Sequence, residues 1–146
     1  MESCVFCDIA TGAAPATRVF EDETVVAFLD VRPLARGHTL VVPRTHAARL
    51  DQLAPADGAA MFRTAQRLSR ALTRSDLAPD GTNLVLNDGR AAFQTVGHAH
   101  LHVLPRWRGD TVLLAARLVR RRPHDPDAIA AQIRTGLDRL EAEDPR

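Results

Sequence analysis

Apolar residues along the chain form short runs with strand-like spacing, then one long run at helical spacing, then a second strand-like run followed by a polar tail. Residues 5–9 make a brief apolar stretch that ends at Thr11-Gly12, and the segment around Pro15 reads as a turn. Residues 17–20 and 24–31 predict two hairpin strands around Glu21-Asp22-Glu23, the second apolar enough to be central. Residues 38–42 are β-branched and apolar and stop at Pro43, which predicts another buried strand with His46 just past its end. From Pro55 to about residue 76, Ala59, Phe62, Ala65, Gln66, Leu68 and Leu72 recur near the helical period with Arg63, Arg67, Arg70 and Arg74 on other faces. This is the long helix. A strand over 82–86, a turn at Asn87-Asp88-Gly89, a loop to about Gln94 and a strand over 96–104 follow. Beyond Gly109 the chain is polar and Arg-rich, with a final helix expected over 127–143. Hairpin strands with segregated helices predict an α+β fold built on an antiparallel sheet, with one long helix and a C-terminal helix.

Length and composition fit one domain over residues 1–146, with the motif-bearing part at about 4–110 and a tail at 111–146. The 45% hydrophobic and 25% charged content is that of an ordinary globular chain. No apolar run approaches the roughly 18–20 residues that cross a bilayer, and Met1-Glu2-Ser3-Cys4 lacks a basic, then apolar, leader, so a cytoplasmic protein without membrane contact is expected. A net charge of +1 disfavours long-range attraction to nucleic acid, and any phosphate recognition must be local. Arg117, Arg120, Arg121 and Arg122 read as a solvated basic face, because no aromatics interleave them.

The chemistry concentrates in Gly97-His98-Ala99-His100-Leu101-His102-Val103-Leu104-Pro105. On a strand, the three histidines share one face and Ala99, Leu101 and Val103 the other. A rise of about 3.3 Å per residue spreads the outer two histidines too far apart for all three to hold one ion. A neutral imidazole attacks phosphorus when one nitrogen holds its proton in a fixed hydrogen bond and the other presents a lone pair. Cys4 and Cys7 are too close to staple a fold, and the C-x-x-C pair reads as metal or redox chemistry in need of partners.

The stretch from Gln94 to Pro105 resembles the signature of the histidine-triad (HIT) superfamily of nucleotide hydrolases and transferases. The resemblance extends through Cys4-Val5-Phe6-Cys7-Asp8-Ile9, Ala27-Phe28-Leu29-Asp30-Val31, Gly37-His38 to His46, and Asn87-Asp88-Gly89. It implies that His100 attacks the α-phosphorus of a nucleoside 5′-phosphate derivative, such as an adenosine phosphoramidate or a dinucleoside polyphosphate, and that water then cleaves the nucleotidyl-histidine. It further implies that His102 binds or stabilises the phosphate and that His38 lies beside it. Asp30 and Val31 would hold ribose and purine with Phe6, Ile9 and Phe28 as apolar walls, while Asn87, Gln94 and Thr95 contact phosphates. Phe93 departs from the pattern, standing where relatives often carry glycine. A homodimer acting on a purine nucleotide, an AMP derivative, is implied as well.

Cys4, Cys7, His46 and His98 make a Cys₂His₂ set if the N-terminal segment folds against the start of the triad. Four protein ligands close a tetrahedral structural zinc site and leave no position for water. Relatives that carry the C-x-x-C pair bind zinc with matching residues, so the resemblance implies the same here. Two other readings stay open. His100 and His102 could be ligands of a catalytic metal, or the domain could bind and sense a nucleotide with little turnover.

Overall fold

The computed structural model describes residues 3–119 and 125–144. Its centre is a five-stranded antiparallel sheet in the order β1-β2-β3-β5-β4, formed by β1 (Arg18–Glu21), β2 (Val25–Leu29), β3 (Thr39–Pro43), β4 (Gly81–Leu86) and β5 (Leu101–Arg106). Every residue of β2 and β3 is buried, which is why both read as continuous apolar runs: the sheet is covered on both sides there. Val25, Ala27, Leu29, Val41, Leu101 and Val103 face one layer of helices, α2 (Pro55–Arg74) and α4 (Pro126–Glu143). Val26, Phe28, Leu40 and Val42 face the other way, onto Phe6, Ile9 and Ala10 of the short helix α1 (Val5–Thr11). His102 pairs with Leu40 in the ladder, so its side chain emerges on the α1 side.

The expected α+β architecture and long helix are present, but the buried stripe of the helix is rotated from the expected one. Met61, Thr64, Ala65, Leu68, Ala71 and Leu72 form it, whereas Ala59 and Gln66 are exposed and Phe62 is 57% exposed. Helix α1 was hidden in a run too short to show periodicity. The Cys4 side chain caps it by accepting from the Cys7 amide, and Gly12 ends it at φ +85°. The segment expected to be polar after Gly109 instead holds an apolar helix, α3 (Thr111–Val119), with no buried residue. Of the basic run, Arg117 lies on this helix, and Arg120, Arg121 and Arg122 fall outside the described residues. Among the described residues no helix is long and apolar enough to cross a membrane.

Asp125 starts α4 by accepting from the Ala128 amide, with Pro126 in the first turn. The helix lies on α2 so closely that a Cβ on Gly136 would sit 2.1 Å from the Ala71 carbonyl oxygen. Gly136→Ala is therefore expected to force the helices apart and lower stability by about 1–3 kcal/mol. An unchanged thermal midpoint would show that the two helices can separate freely.

Candidate functional site

Strand β5 begins at Leu101, not at the expected residue 96, so His98 and His100 precede the sheet. The reason is local. The last β3–β5 pair is Val41 with Leu101, and the Pro43 carbonyl accepts from Nε2 of His98 at 2.8 Å. The Ala99 amide instead donates to Ala47 at 2.7 Å, on the loop that carries His46. At its other end β5 runs on through Pro105, past Val103, where it is paired on the β4 side alone and a proline can be accommodated.

These contacts give the histidines different jobs. His98 is fully buried and donates through Nε2, so its Nδ1 lone pair faces outward from that bond. There Nδ1 meets Cys4 Sγ at 3.3 Å, Cys7 Sγ at 3.5 Å and His46 Nδ1 at 3.2 Å, and Cys7 Sγ lies 3.3 Å from His46 Nδ1. A tetrahedral ion bonded at about 2.0–2.3 Å spaces its ligands by about 3.3–3.8 Å. The four residues predicted for zinc thus converge with separations that suit a metal, and a backbone carbonyl fixes the ligand tautomer of His98. Burial lowers the pKa of the His98 ring, disfavouring its charged form. Burial and the adjoining Cys4 push the Cys7 thiol up to about 11, a cost that a central cation reverses.

His100 is 3% exposed and donates through Nδ1 to the carbonyl of His98 at 2.8 Å. That bond places the proton on Nδ1 and leaves the Nε2 lone pair for attack. His102 is set from the other side. The Leu34 amide donates to His38 Nδ1 at 3.0 Å, which places the His38 proton on Nε2, 2.9 Å from His102 Nδ1. His102 therefore accepts at Nδ1 and carries its own proton on Nε2, as a donor suited to a phosphate oxygen. Asp30 Oδ2 stands 3.7 Å from His38 Nε2, and Asp30 Oδ1 accepts from the Arg32 amide at 2.8 Å.

Asp30, His38 and His102 also converge closely enough to invite a second metal. The tautomers argue otherwise. With Nδ1 held by an amide donor, His38 would have to give up its only ring proton to bind an ion through Nε2, contrary to how ligating histidines are supported. The same bonds disfavour a catalytic metal on His100 and His102, because His102 Nδ1 is already an acceptor for His38.

A HIT domain family model matches residues 11–109. The chain belongs to the HIT family. It is 46% identical over 139 residues to a HIT-like protein of Mycobacterium tuberculosis, covering 95% of this chain and 96% of that one. It is 35% identical to an adenosine 5′-monophosphoramidase of Schizosaccharomyces pombe, covering 71% of this chain and 74% of that one. The crystal structure of a zinc-bound histidine-triad family protein from Mycobacterium smegmatis matches with a TM-score of 0.89 at 46% identity, covering 97% and 98%. Helices α3 and α4 lie beyond the segment that the HIT model describes.

The remaining expected residues are placed less uniformly. Phe6, Ile9 and Phe28 are 7%, 6% and 3% exposed and pack on one another, with Phe6 edge-on to His100 at 5.2 Å. Val31 is exposed beside Asp30. Gln94 does not present a spare amide: its oxygen accepts from Gly89 at 2.7 Å, and its nitrogen donates to Ala48 at 2.7 Å and Val96 at 2.9 Å. It frames the loop, with Asn87 half-buried and Thr95 exposed on either side of it. Asp88 ties the same turn to the loop after β3 by accepting from Leu50, a bond that lowers its carboxyl pKa. The groups that sequence reasoning missed are backbone ones, the Leu34 amide and the Pro43 and His98 carbonyls, which no residue-type pattern reveals.

Phe93 sits at φ +69° and is 83% exposed. A left-handed conformation explains why glycine suits this position. Phe93→Gly is expected to raise stability by about 0.5–1 kcal/mol, read as a higher urea midpoint; a lower midpoint would mean that the ring is supported by contacts that offset the strain.

Proposed function

We propose that the protein hydrolyses a nucleoside 5′-phosphate derivative, an AMP ester, anhydride or amide, through a nucleotidyl group carried on His100. The carrying observation is the 2.8 Å bond from His100 Nδ1 to the His98 carbonyl, which aims a neutral Nε2 lone pair from a buried ring. Nε2 forms a bond to the α-phosphorus as the bond to the leaving group breaks; the leaving group takes the electron pair and, where it is an amine, a proton from solvent. The ring becomes cationic, and its Nδ1–H to carbonyl bond strengthens as that charge develops, which favours the transition state over the ground state. His102 donates its Nε2 proton in a hydrogen bond to a phosphate oxygen, stabilising the charge that builds there. Water then attacks phosphorus, the P–N bond breaks, and the nucleoside monophosphate leaves with His100 neutral again. Asp30 takes ribose hydroxyls, with Val31 beside the base.

The S. pombe relative, named as an adenosine 5′-monophosphoramidase, supports an adenylyl group and a P–N bond among the substrates. Zinc at Cys4, Cys7, His46 and His98 serves as a closed structural centre that pins α1 to the triad, and it supplies no catalytic water. Two reduced cysteines suit a cytoplasmic location. A homodimer remains part of this reading, with β4 an unpaired sheet edge. The deciding experiment incubates the protein with adenosine phosphoramidate and with a dinucleoside polyphosphate, quenches it, and maps adducts by mass spectrometry. A nucleotidyl group on His100 with AMP release is expected. Release of AMP without any adduct on His100, or no release from either compound, overturns the proposal. Metal analysis of the reduced protein should find about one zinc per chain; a metal-free protein whose stability is indifferent to chelation would remove the structural centre.

A further inference from the structure

We infer that the Cys4–Cys7–His46–His98 centre and Phe6 act together as a positioning device for His100, so that the centre governs turnover as well as folding. The inference rests on His100 as the nucleophile. Its basis is that His98 faces two ways. The ring reaches the cluster through Nδ1 and is braced by Pro43 through Nε2, while the backbone carbonyl of the same residue holds the Nδ1 proton of His100. The cluster and the Pro43 carbonyl thus hold the side chain of the residue whose backbone carbonyl sets the His100 tautomer.

The sheet does not share this duty. β3–β5 pairing starts at Leu101, so the backbone at His98 and Ala99 is held by the His98 ring, by the His98 amide bond to Val96 and by the Ala99 amide bond to Ala47, next to His46. Phe6 adds a second constraint from the same source. It lies on α1 between Cys4 and Cys7, and its ring meets His98 at 5.9 Å and His100 at 5.2 Å, both edge-on, with Phe28 behind it at 5.5 Å. One support of the His100 ring, the His98 carbonyl, thus belongs to a cluster residue, and the other, Phe6, lies between two of them.

The other half of the site is anchored elsewhere. Asp30 is tied through its amide to the His38 carbonyl, His38 to the Leu34 amide, and His102 to His38 and the β3 ladder. Loss of the metal should accordingly lower kcat and leave the nucleotide affinity of the Asp30–His38–His102 side nearly intact. Loss of an outer support of a metal-linked group typically costs about 10–100-fold.

The test compares zinc-loaded protein, metal-stripped protein and zinc-loaded Phe6→Leu at one pH above imidazole titration. Three readouts are taken: the ring ¹⁵N resonances of His100, AMP affinity by calorimetry, and kcat on adenosine phosphoramidate. Loaded protein should show one His100 tautomer, protonated at Nδ1. Stripped protein should show mixed tautomers, kcat lower by about 10–100-fold and AMP affinity within about twofold. Phe6→Leu should retain zinc, show mixed His100 tautomers and lower kcat by about 2–10-fold, the scale of one aromatic contact. An unaltered tautomer and kcat in stripped protein overturn the inference. If stripping unfolds the chain, Phe6→Leu decides alone: mixed His100 tautomers in the zinc-loaded variant uphold it, and unchanged resonances overturn it. The tautomer is read without substrate, so a loaded wild type that turns over nothing defeats the proposed function while the resonances still decide the positioning claim.

Discussion

His100→Ala is expected to lower kcat on adenosine phosphoramidate by at least about 10³-fold and to abolish the nucleotidyl adduct, with AMP affinity changed little. The size follows from what is removed. In the proposed reaction Nε2 of His100 is the atom that bonds to phosphorus, and without it water must attack unaided at a site shaped for a ring nitrogen. His102 cannot replace it, because its Nδ1 accepts from His38 and its Nε2 carries the proton. Binding is spared because Asp30 and His38 are tied by backbone bonds and His102 by the β3 ladder and His38, so His102 loses only its edge-on contact with the His100 ring at 5.0 Å. Steady-state kinetics and mass spectrometry on a variant shown to be folded by circular dichroism check this. AMP release equal to that of the wild type would leave the protein a nucleotide-binding module with an incidental hydrolysis.

Much of this arrangement was legible in the residues, and the exceptions have physical causes. β2 and β3 were readable because burial on both faces demands unbroken apolar runs, and the antiparallel sheet follows from the short connections between them. The triad was readable as a cluster but not as a row. Alternation in 96–104 matches a strand, yet the Pro43 carbonyl binds the His98 ring, and residues before Leu101 leave the ladder. The same departure turns the three histidines from neighbours on one pleat into a metal-facing ring, an attacking ring and a donor. The four cluster residues were identifiable by type, although only the fold shows that they meet. Gln94 was expected at the phosphates because its residue type suits that task; its amide bonds three backbone partners that a sequence does not display. Helices α1 and α3 were missed for opposite reasons, one too short for a period and the other apolar without a core face.

The second large effect is expected at His38, which bonds to His102 and not to the reacting phosphorus in the proposed reaction. His38→Ala removes the donor to His102 Nδ1 and frees the Leu34 amide, so His102 can take either tautomer. In the tautomer protonated at Nδ1, its Nε2 lone pair would face the phosphate oxygens and repel them, and in the other the ring loses its brace. Losing one preorganised donor to a developing oxyanion costs about 10²–10³-fold in kcat, and that is the loss predicted here. His38 is 1% exposed, so part of any decline could come from a cavity, and the pattern of parameters separates the causes. A tautomer effect lowers kcat and slows formation of the His100 adduct in single-turnover experiments while the metal content stays at its wild-type value. A packing effect alone lowers the thermal midpoint and leaves the rate of adduct formation per folded molecule unchanged. If adduct formation in His38→Ala proceeds at the wild-type rate, the chain from Leu34 through His38 to His102 has no part in orienting the phosphate, and the role assigned to His102 fails with it.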